Sequence, residues 1–304
     1  MNRRETLKFL STTPLLASLS MSDWLGLFAE MNKRSIPSTG ESIPIVGLGT
    51  WQTFDVGGGT ADRAPLQEVL KQLVTQGGMV VDSSPMYGRS EQVVGDLSKA
   101  EQLTDQLFMA TKVWTTGKQS GINQMNRSMA RMQKKPMDLM QIHNLQDWKT
   151  HMKTLQQWKE EGKLRYIGIS HYLESAYGRM ESIMKDYPID FVQLNYSMVS
   201  RTAEKRLLPL AKDRGIAVLT NRPYEGGSLF RKVSGKELPA LAKDIGAESW
   251  GQFFLKYILS HEAVTCAIPG TSKVKHLLDN LGAGVGLLPD TNQRTKMRQA
   301  LESI

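Results

Sequence analysis

From residue 33 onward, short apolar runs alternate with longer stretches whose apolar residues recur every three or four positions. The short runs fall at residues 45–49, 79–82, 107–112, 137–142, 165–169, 191–194, 216–219 and 264–268 and read as strands. Between them, residues 65–76 carry Leu66, Val69, Leu70 and Leu73 at helical spacing, and residues 91–99, 150–161, 203–214 and 249–260 are amphipathic in the same way. A succession of strand–helix units predicts parallel strands joined by crossover helices. Residues 33–44, interrupted by Ser38-Thr39-Gly40, read as a small hairpin ahead of the main fold.

A closed barrel and an open doubly wound sheet both satisfy this pattern. An open sheet holding a dinucleotide carries Gly-x-Gly-x-x-Gly after its first strand. Here the first strand ends Gly47-Leu48-Gly49-Thr50-Trp51, and the run Gly57-Gly58-Gly59 has neither a preceding strand nor that spacing. The expected fold is therefore a (β/α)8 TIM barrel with a short N-terminal hairpin. Gly57–Gly59 is expected to be a flexible loop, with a functional lid as the alternative.

Length and composition suit one such domain. The chain has 304 residues, 40% hydrophobic and 22% charged, and α/β barrels commonly run to about 250 residues. Lys and Arg number 38 against 30 Asp and Glu, but the basic residues are interleaved with acids and form no basic helix. The excess reads as a solvated surface that favours an anionic cofactor or substrate, not as a nucleic-acid site. Cys266 is the single cysteine, so no intrachain disulfide forms, and its apolar setting suits packing.

The first residues differ in character. Met1-Asn2-Arg3-Arg4-Glu5-Thr6-Leu7-Lys8 precede a short, weakly apolar stretch, the layout of an export signal and too short for a permanent membrane span. Arg3-Arg4 with Leu7-Lys8 resembles a twin-arginine signal, although Thr6 stands where that motif usually has Phe. Residues 1–30 are expected to be this signal, cut between Ala17 and Ala29, and residues 31–304 the barrel domain. A periplasmic location follows, with an attached N-terminal arm and a cytoplasmic protein as the alternative.

Barrel active sites lie at the C-terminal ends of the strands. The second, third and fourth strands end at Asp82, Lys112 and His143, and Tyr87 follows on the loop after the first of these. Singly, each has a structural use: a loop cap, a surface cation, a satisfied core histidine, a packed ring. Together, at neighbouring strand ends about 5 Å apart, they make a set with a chemistry. An ammonium beside a phenol favours the phenolate and draws its pKa down. Asp82 is the counter-ion that a buried lysine needs. His143 can donate a hydrogen bond to a substrate oxygen. The set is a proton donor with an oxyanion-stabilising environment.

The motifs Gly47-Leu48-Gly49-Thr50-Trp51, Val81-Asp82-Ser83-Ser84-Pro85-Met86-Tyr87-Gly88, Ala110-Thr111-Lys112, Gln141-Ile142-His143 and Ile268-Pro269-Gly270-Thr271-Ser272 resemble the aldo-keto reductase family. The resemblance covers residues 33–283. It implies a (β/α)8 barrel that reduces aldehydes or ketones, or oxidises alcohols, with the tetrad Asp82, Tyr87, Lys112 and His143 beside the nicotinamide of NADP(H). It also implies that Ser170 and Gln193 hold the nicotinamide carboxamide, with His171 where the family's pattern has Asn. Arg222 suits the pyrophosphate. Thr271, Ser272, Lys273 and His276, at the start of a helix, stand where the family grips the 2′-phosphate, and Asn280 matches a residue near the adenine. The family's usual Lys-Ser pair and following Arg are missing here, so NAD(H) stays as the alternative cofactor. The aromatic that the family stacks on the nicotinamide has no clear match in Leu219-Thr220-Asn221-Arg222-Pro223-Tyr224.

Trp51 and Trp114 flank the tetrad and are either an apolar pocket wall or core packing. The short C-terminal extension implies an open pocket of broad specificity. A metal-dependent hydrolase is disfavoured, since the five histidines form no His-x-His or His-x-x-x-His pair. A redox-sensing or regulatory nucleotide-binding barrel with little turnover is the other class of function. The chain is expected to act as a monomer on a small-molecule carbonyl or alcohol, without nucleic acid, metal or a stable membrane anchor.

Overall fold

The computed structural model describes residues 30–304; the export signal expected over residues 1–30 lies, but for its last residue, outside them. Strand β1 (Lys33–Ser35) pairs antiparallel with β2 (Ser42–Pro44). Eight parallel strands follow: β3 (Leu48–Gly49), β4 (Val80–Asp82), β5 (Phe108–Val113), β6 (Met137–His143), β7 (Leu164–Ser170), β8 (Phe191–Asn195), β9 (Ala217–Asn221) and β10 (Cys266–Ala267). They pair in chain order, and parallel bridges Val46–Ala267 and Gly49–Gly270 bring β10 back to β3. Gly47 N donates to Ala267 O at 2.8 Å and Ala267 N to Ile45 O at 2.9 Å, which completes the ring. The (β/α)8 barrel with its hairpin is therefore the fold.

Outside the ring run α1 (Thr60–Thr75), α2 (Ser90–Ala100), α3 (Lys118–Met132), α4 (Trp148–Glu160), α5 (Tyr177–Asp186), α6 (Leu207–Arg214), α7 (Ser228–Lys232), α8 (Leu241–Asp244), α9 (Trp250–Leu259), α10 (Val274–Gly282) and α11 (Thr291–Glu302). Gly57–Gly59 leads directly into α1, with Arg63 Nε on Gly57 O at 2.9 Å. No helix among the described residues is long and apolar enough to cross a membrane.

Strand side chains alternate between two apolar layers. One face packs under the helices, where Leu66, Val69, Leu70 and Leu73 of α1 meet Val81, Val93 and Met109. The other fills the barrel with Val80, Phe108, Leu139, Tyr166, Phe191, Leu219 and Ile268, above Ile36 and Ile43 of the hairpin segment. The hairpin thus plugs the end where the strands begin. Tyr166 ties it down, its hydroxyl lying 2.6 Å from Thr39 Oγ1 and 2.5 Å from Glu41 Oε2. Glycine is required at Gly168, where a Cβ would come 2.6 Å from Phe191 O and push β7 off β8. The apolar filling ends where Asp82, Lys112, His143 and Gln193 begin.

Candidate active site

Period-2 alternation puts Asp82, Lys112, Gln141, His143, Ser170 and Gln193 on the same inner face, two residues or more beyond the apolar filling. Register then sets them side by side: Lys112 opposite Gln141, His143 opposite Ser170, Ser170 opposite Gln193. Lys112, 1% exposed, donates to Asp82 Oδ2 at 2.7 Å and to Ser83 O at 2.7 Å. Asp82 also accepts from Gln141 Nε2 at 3.2 Å and Gln193 Nε2 at 3.1 Å. A buried carboxylate with three donors is fully compensated. Gln141 was missed as a site residue, although its place two positions before His143 on one strand puts it on the same face.

Tyr87 lies half-buried on the turn after β4, its amide donating to Ser84 O at 3.0 Å. Its ring meets His143 edge-on at 5.8 Å, and Lys112 Nζ lies 5.1 Å from the ring centre. Tyr87, Lys112, Asp82 and His143 therefore form one group. Burial pushes the Tyr87 pKa up, Lys112 pulls it down, and Asp82 adds to the rise, so the net direction is upward. The lysine's effect has the expected sign, but it does not win. Burial opposes the charge on Lys112, yet Asp82 and Tyr87 more than offset it and its pKa is raised. His143 falls to about 2 through burial, then Lys112, then His171. It is a neutral imidazole.

Each imidazole is held through its Nδ1. Ser84 Oγ lies 3.0 Å from His143 Nδ1 and accepts from Met86 N at 3.4 Å. With the hydroxyl donating to Nδ1, Nε2–H is the free donor of His143. His171 Nδ1 accepts from Leu173 N at 3.0 Å, so its proton also sits on Nε2. At this position the imidazole is a donor.

Gln193 spends its amide nitrogen on Asp82, while its Oε1 is buried without a partner. Asn195 Oδ1 and Asn221 Oδ1, on the inner face at the ends of β8 and β9, are likewise buried and unpartnered. Ser170 Oγ makes only a 3.5 Å bond to Ile142 O. Beside them His171 offers Nε2–H. Unpartnered acceptors next to a donor are what a carboxamide group fits, so these residues suit a nicotinamide.

Further round the mouth, Arg222 is exposed at φ 51°, its guanidinium 5.7 Å from the Tyr172 ring. Thr271 Oγ1 accepts from Lys273 N at 3.1 Å, and Lys273 caps α10 without a side-chain bond, so the helix's opening amides point outward. Ser272 is half-buried, and Lys273 and His276 are exposed. Asn280 is buried, its Oδ1 taken by Tyr224 OH at 2.5 Å. Tyr224 packs on Phe230 and Phe254. Trp51 and Trp114 are 55% and 41% exposed, so neither is core packing. Gln124 clamps the Trp114 loop through both Trp114 N at 2.6 Å and Trp114 O at 3.1 Å. Among the described residues no three His, Cys, Asp or Glu side chains gather as a metal site. A cavity of about 230 Å³ lined by Lys135, Pro136 and Lys163 opens at the opposite end of the barrel, away from this chemistry.

The class defined by this geometry is a (β/α)8 barrel with an acid–base cluster at its C-terminal mouth. The Aldo/keto reductase family model matches residues 45–300, and the chain belongs to that family. It is 28% identical over 219 residues to "Aldo-keto reductase YhdN" of Bacillus subtilis, covering 67% of this chain and 65% of that protein. A Schizosaccharomyces pombe protein called an uncharacterized oxidoreductase is 32% identical over 164 residues, 53% of this chain and 51% of its own. The chain thus spans less than two thirds of the length of these two relatives. "Methylglyoxal reductase YeaE" of Escherichia coli is 25% identical over 260 residues, 82% of this chain and 89% of that protein. An aldo-keto reductase of Klebsiella pneumoniae, solved with NADPH, has the same fold, with TM-score 0.73 at 22% identity over 89% of this chain and 95% of that one.

Proposed function

We propose that the protein reduces aldehydes or ketones to alcohols, or runs the reverse reaction, with NADP(H). What carries the reading is the Lys112–Asp82 ion pair, 2.7 Å long and closed off from solvent, set against Tyr87 and a neutral His143. NADPH, when bound, is the source of the hydride. Ser170, His171 and Gln193 hold its carboxamide and Arg222 its pyrophosphate. Thr271, Ser272, Lys273, His276 and the first turn of α10 hold the 2′-phosphate, and Asn280 lies near the adenine. The Klebsiella neighbour's NADPH supports that choice of nucleotide.

His143 Nε2–H donates to the carbonyl oxygen and fixes its direction. Tyr87 is the general acid: its hydroxyl proton passes to that oxygen as the carbonyl carbon is reduced. Lys112, held by Asp82, stabilises the phenolate left behind. In the reverse direction the phenolate takes the alcohol proton back. Trp51 and Trp114 wall an open apolar pocket. The protein works as a monomer, and its first residues direct twin-arginine export to the periplasm.

Purified protein given NADPH and 4-nitrobenzaldehyde without added metal should consume the nucleotide. Tyr87→Phe should lower kcat by roughly 10²–10⁴-fold, the usual worth of a positioned acid, with NADPH affinity kept. Turnover in Tyr87→Phe close to the parent's would place the acid elsewhere, and a strict need for added zinc or magnesium would sink the reading.

A further inference from the structure

A polar cavity of about 400 Å³ opens between the loops that follow β6 and β7, lined by Asn144, Leu145, His171, Ser175, Ala176 and Arg179. It shares two sequence neighbours with the site: Asn144 follows His143, and His171 follows Ser170. The closeness is electrostatic as well, since His171 acts on His143 and Arg179 acts on His171.

Donors dominate its lining. Arg179, on the first turn of α5, is exposed. Lys185 and Arg206 are both held by Glu181 of the same helix, whereas Arg179 has no carboxylate within salt-bridge reach among the described residues. Ser175 brings a hydroxyl. One buried acceptor, Asn144 Oδ1, has no partner. The loop has an unusual backbone: Asn144, Leu145 and Asp147 all have positive φ, at 52°, 54° and 44°. That conformation is costly for residues other than glycine and persists where the surroundings enforce it. Gly117 N and Thr150 Oγ1 both bond the Asp147 carboxylate, at 2.8 Å each, and do the enforcing.

We propose that this cavity is an anion subsite, with Arg179 binding a carboxylate at the far end of an aldehyde whose carbonyl lies at Tyr87 and His143. The substrate class is an aldehyde acid. A guanidinium fork matches a carboxylate's two oxygens. Ser175 supplies a further donor. A volume of about 400 Å³ takes a benzoate-sized group. The proposal rests on the reductase reading above.

The test pairs 4-formylbenzoate with its methyl ester, which keeps the size and removes the charge. The parent should show the lower KM for the acid. Arg179→Ala should raise KM for the acid roughly 10–100-fold, the range for a lost charged hydrogen bond. It should leave kcat, the ester's KM and NADPH affinity unchanged, and Arg179→Lys should recover part of the loss. Equal effects on acid and ester, or none on either, overturn the subsite alone. If the parent turns over neither aldehyde, the reductase reading falls and the subsite with it.

Discussion

At the scale of single residues, the informative result is the direction in which Tyr87 moves. A lysine 5.1 Å from its ring draws the phenol towards ionisation, but burial and Asp82 outweigh it and the pKa stays above the ordinary value of 10.0. For a proton donor this sign is useful, because the acid form is the active form in reduction. It is the populated form through neutrality and is lost as pH rises through the raised pKa. His143, at about 2, has no titration anywhere near neutrality. Reduction measured as kcat with saturating NADPH should therefore be flat between about pH 5 and 9 and fall only in the alkaline range. A break in kcat between pH 6 and 7 would mean that a titrating histidine, and not Tyr87, is the proton donor. Lys112→Met removes the pull on Tyr87 and strands the Asp82 carboxylate without its cation, so its alkaline limb should move further up while kcat drops.

Among the elements, α11 is the least apolar: only Met297 and Leu301 are buried. Its position depends on a capping box, with Gln293 N on Asp290 Oδ1 at 2.7 Å and Asp290 N on Gln293 Oε1 at 2.9 Å. It depends equally on Arg294. That guanidinium donates to Ser260 Oγ, Tyr196 OH and Glu204 Oε1 at 2.8 Å each, and also to Tyr257 O. Arg294→Ala leaves Glu204 short of its cation. Because Glu204 keeps 25% of its side chain in water, the cost should be about 2 kcal/mol, below the range for a fully buried pair. The melting temperature should fall by roughly 5 °C; an unchanged value would show that the capping box alone holds the helix.

The same scale shows what was legible from sequence. Every apolar run marks a barrel strand, because parallel strands are buried on both faces and leave an unbroken signal. Five strands run one or two residues past their runs, as at His143 and Asn221. The two at the seam are shorter than their runs: residues 45–49 retain Leu48–Gly49, and 264–268 retain Cys266–Ala267, joined through isolated bridges. Helix α3 is absent from the periodic stretches, since its inner face is Gly121, Met125, Ser128, Met129 and Met132, small or polar at two positions of five. Helix α1 starts five residues ahead of Pro65, with the proline inside it. The tetrad was visible because strand ends are readable. Gln141 on Asp82 and Ser84 on His143 were not, as they depend on rotamers and on which atom is already bonded.

Taken whole, the molecule carries a net charge of +8, and the mouth of the barrel contributes Arg222, Lys273, Lys275 and Arg179, all exposed. If Arg3 and Arg4 direct export, replacing both by Lys should leave the protein in the cytoplasm with its leader uncut; identical fractionation of parent and variant would make the segment an N-terminal arm. The nucleotide makes a sharper demand on the folded unit. Gln193 Oε1, Asn195 Oδ1 and Asn221 Oδ1 are buried without partners, and each costs free energy until something bonds it. A nucleotide that satisfies part of this set binds the native state alone, so it should raise the melting temperature by mass action, about 2.7 kcal/mol at one hundred times Kd. The choice between nucleotides turns on the start of α10. Lys273 is exposed there, Ser272 precedes it, and the first amides carry no side-chain cap, which together favour a phosphate. NADPH should therefore raise the melting temperature more than NADH at equal concentration, and Lys273→Ala should narrow the gap while leaving the NADH shift as it was. Equal shifts from the two nucleotides in the parent would remove the 2′-phosphate from this helix and make NAD(H) the cofactor.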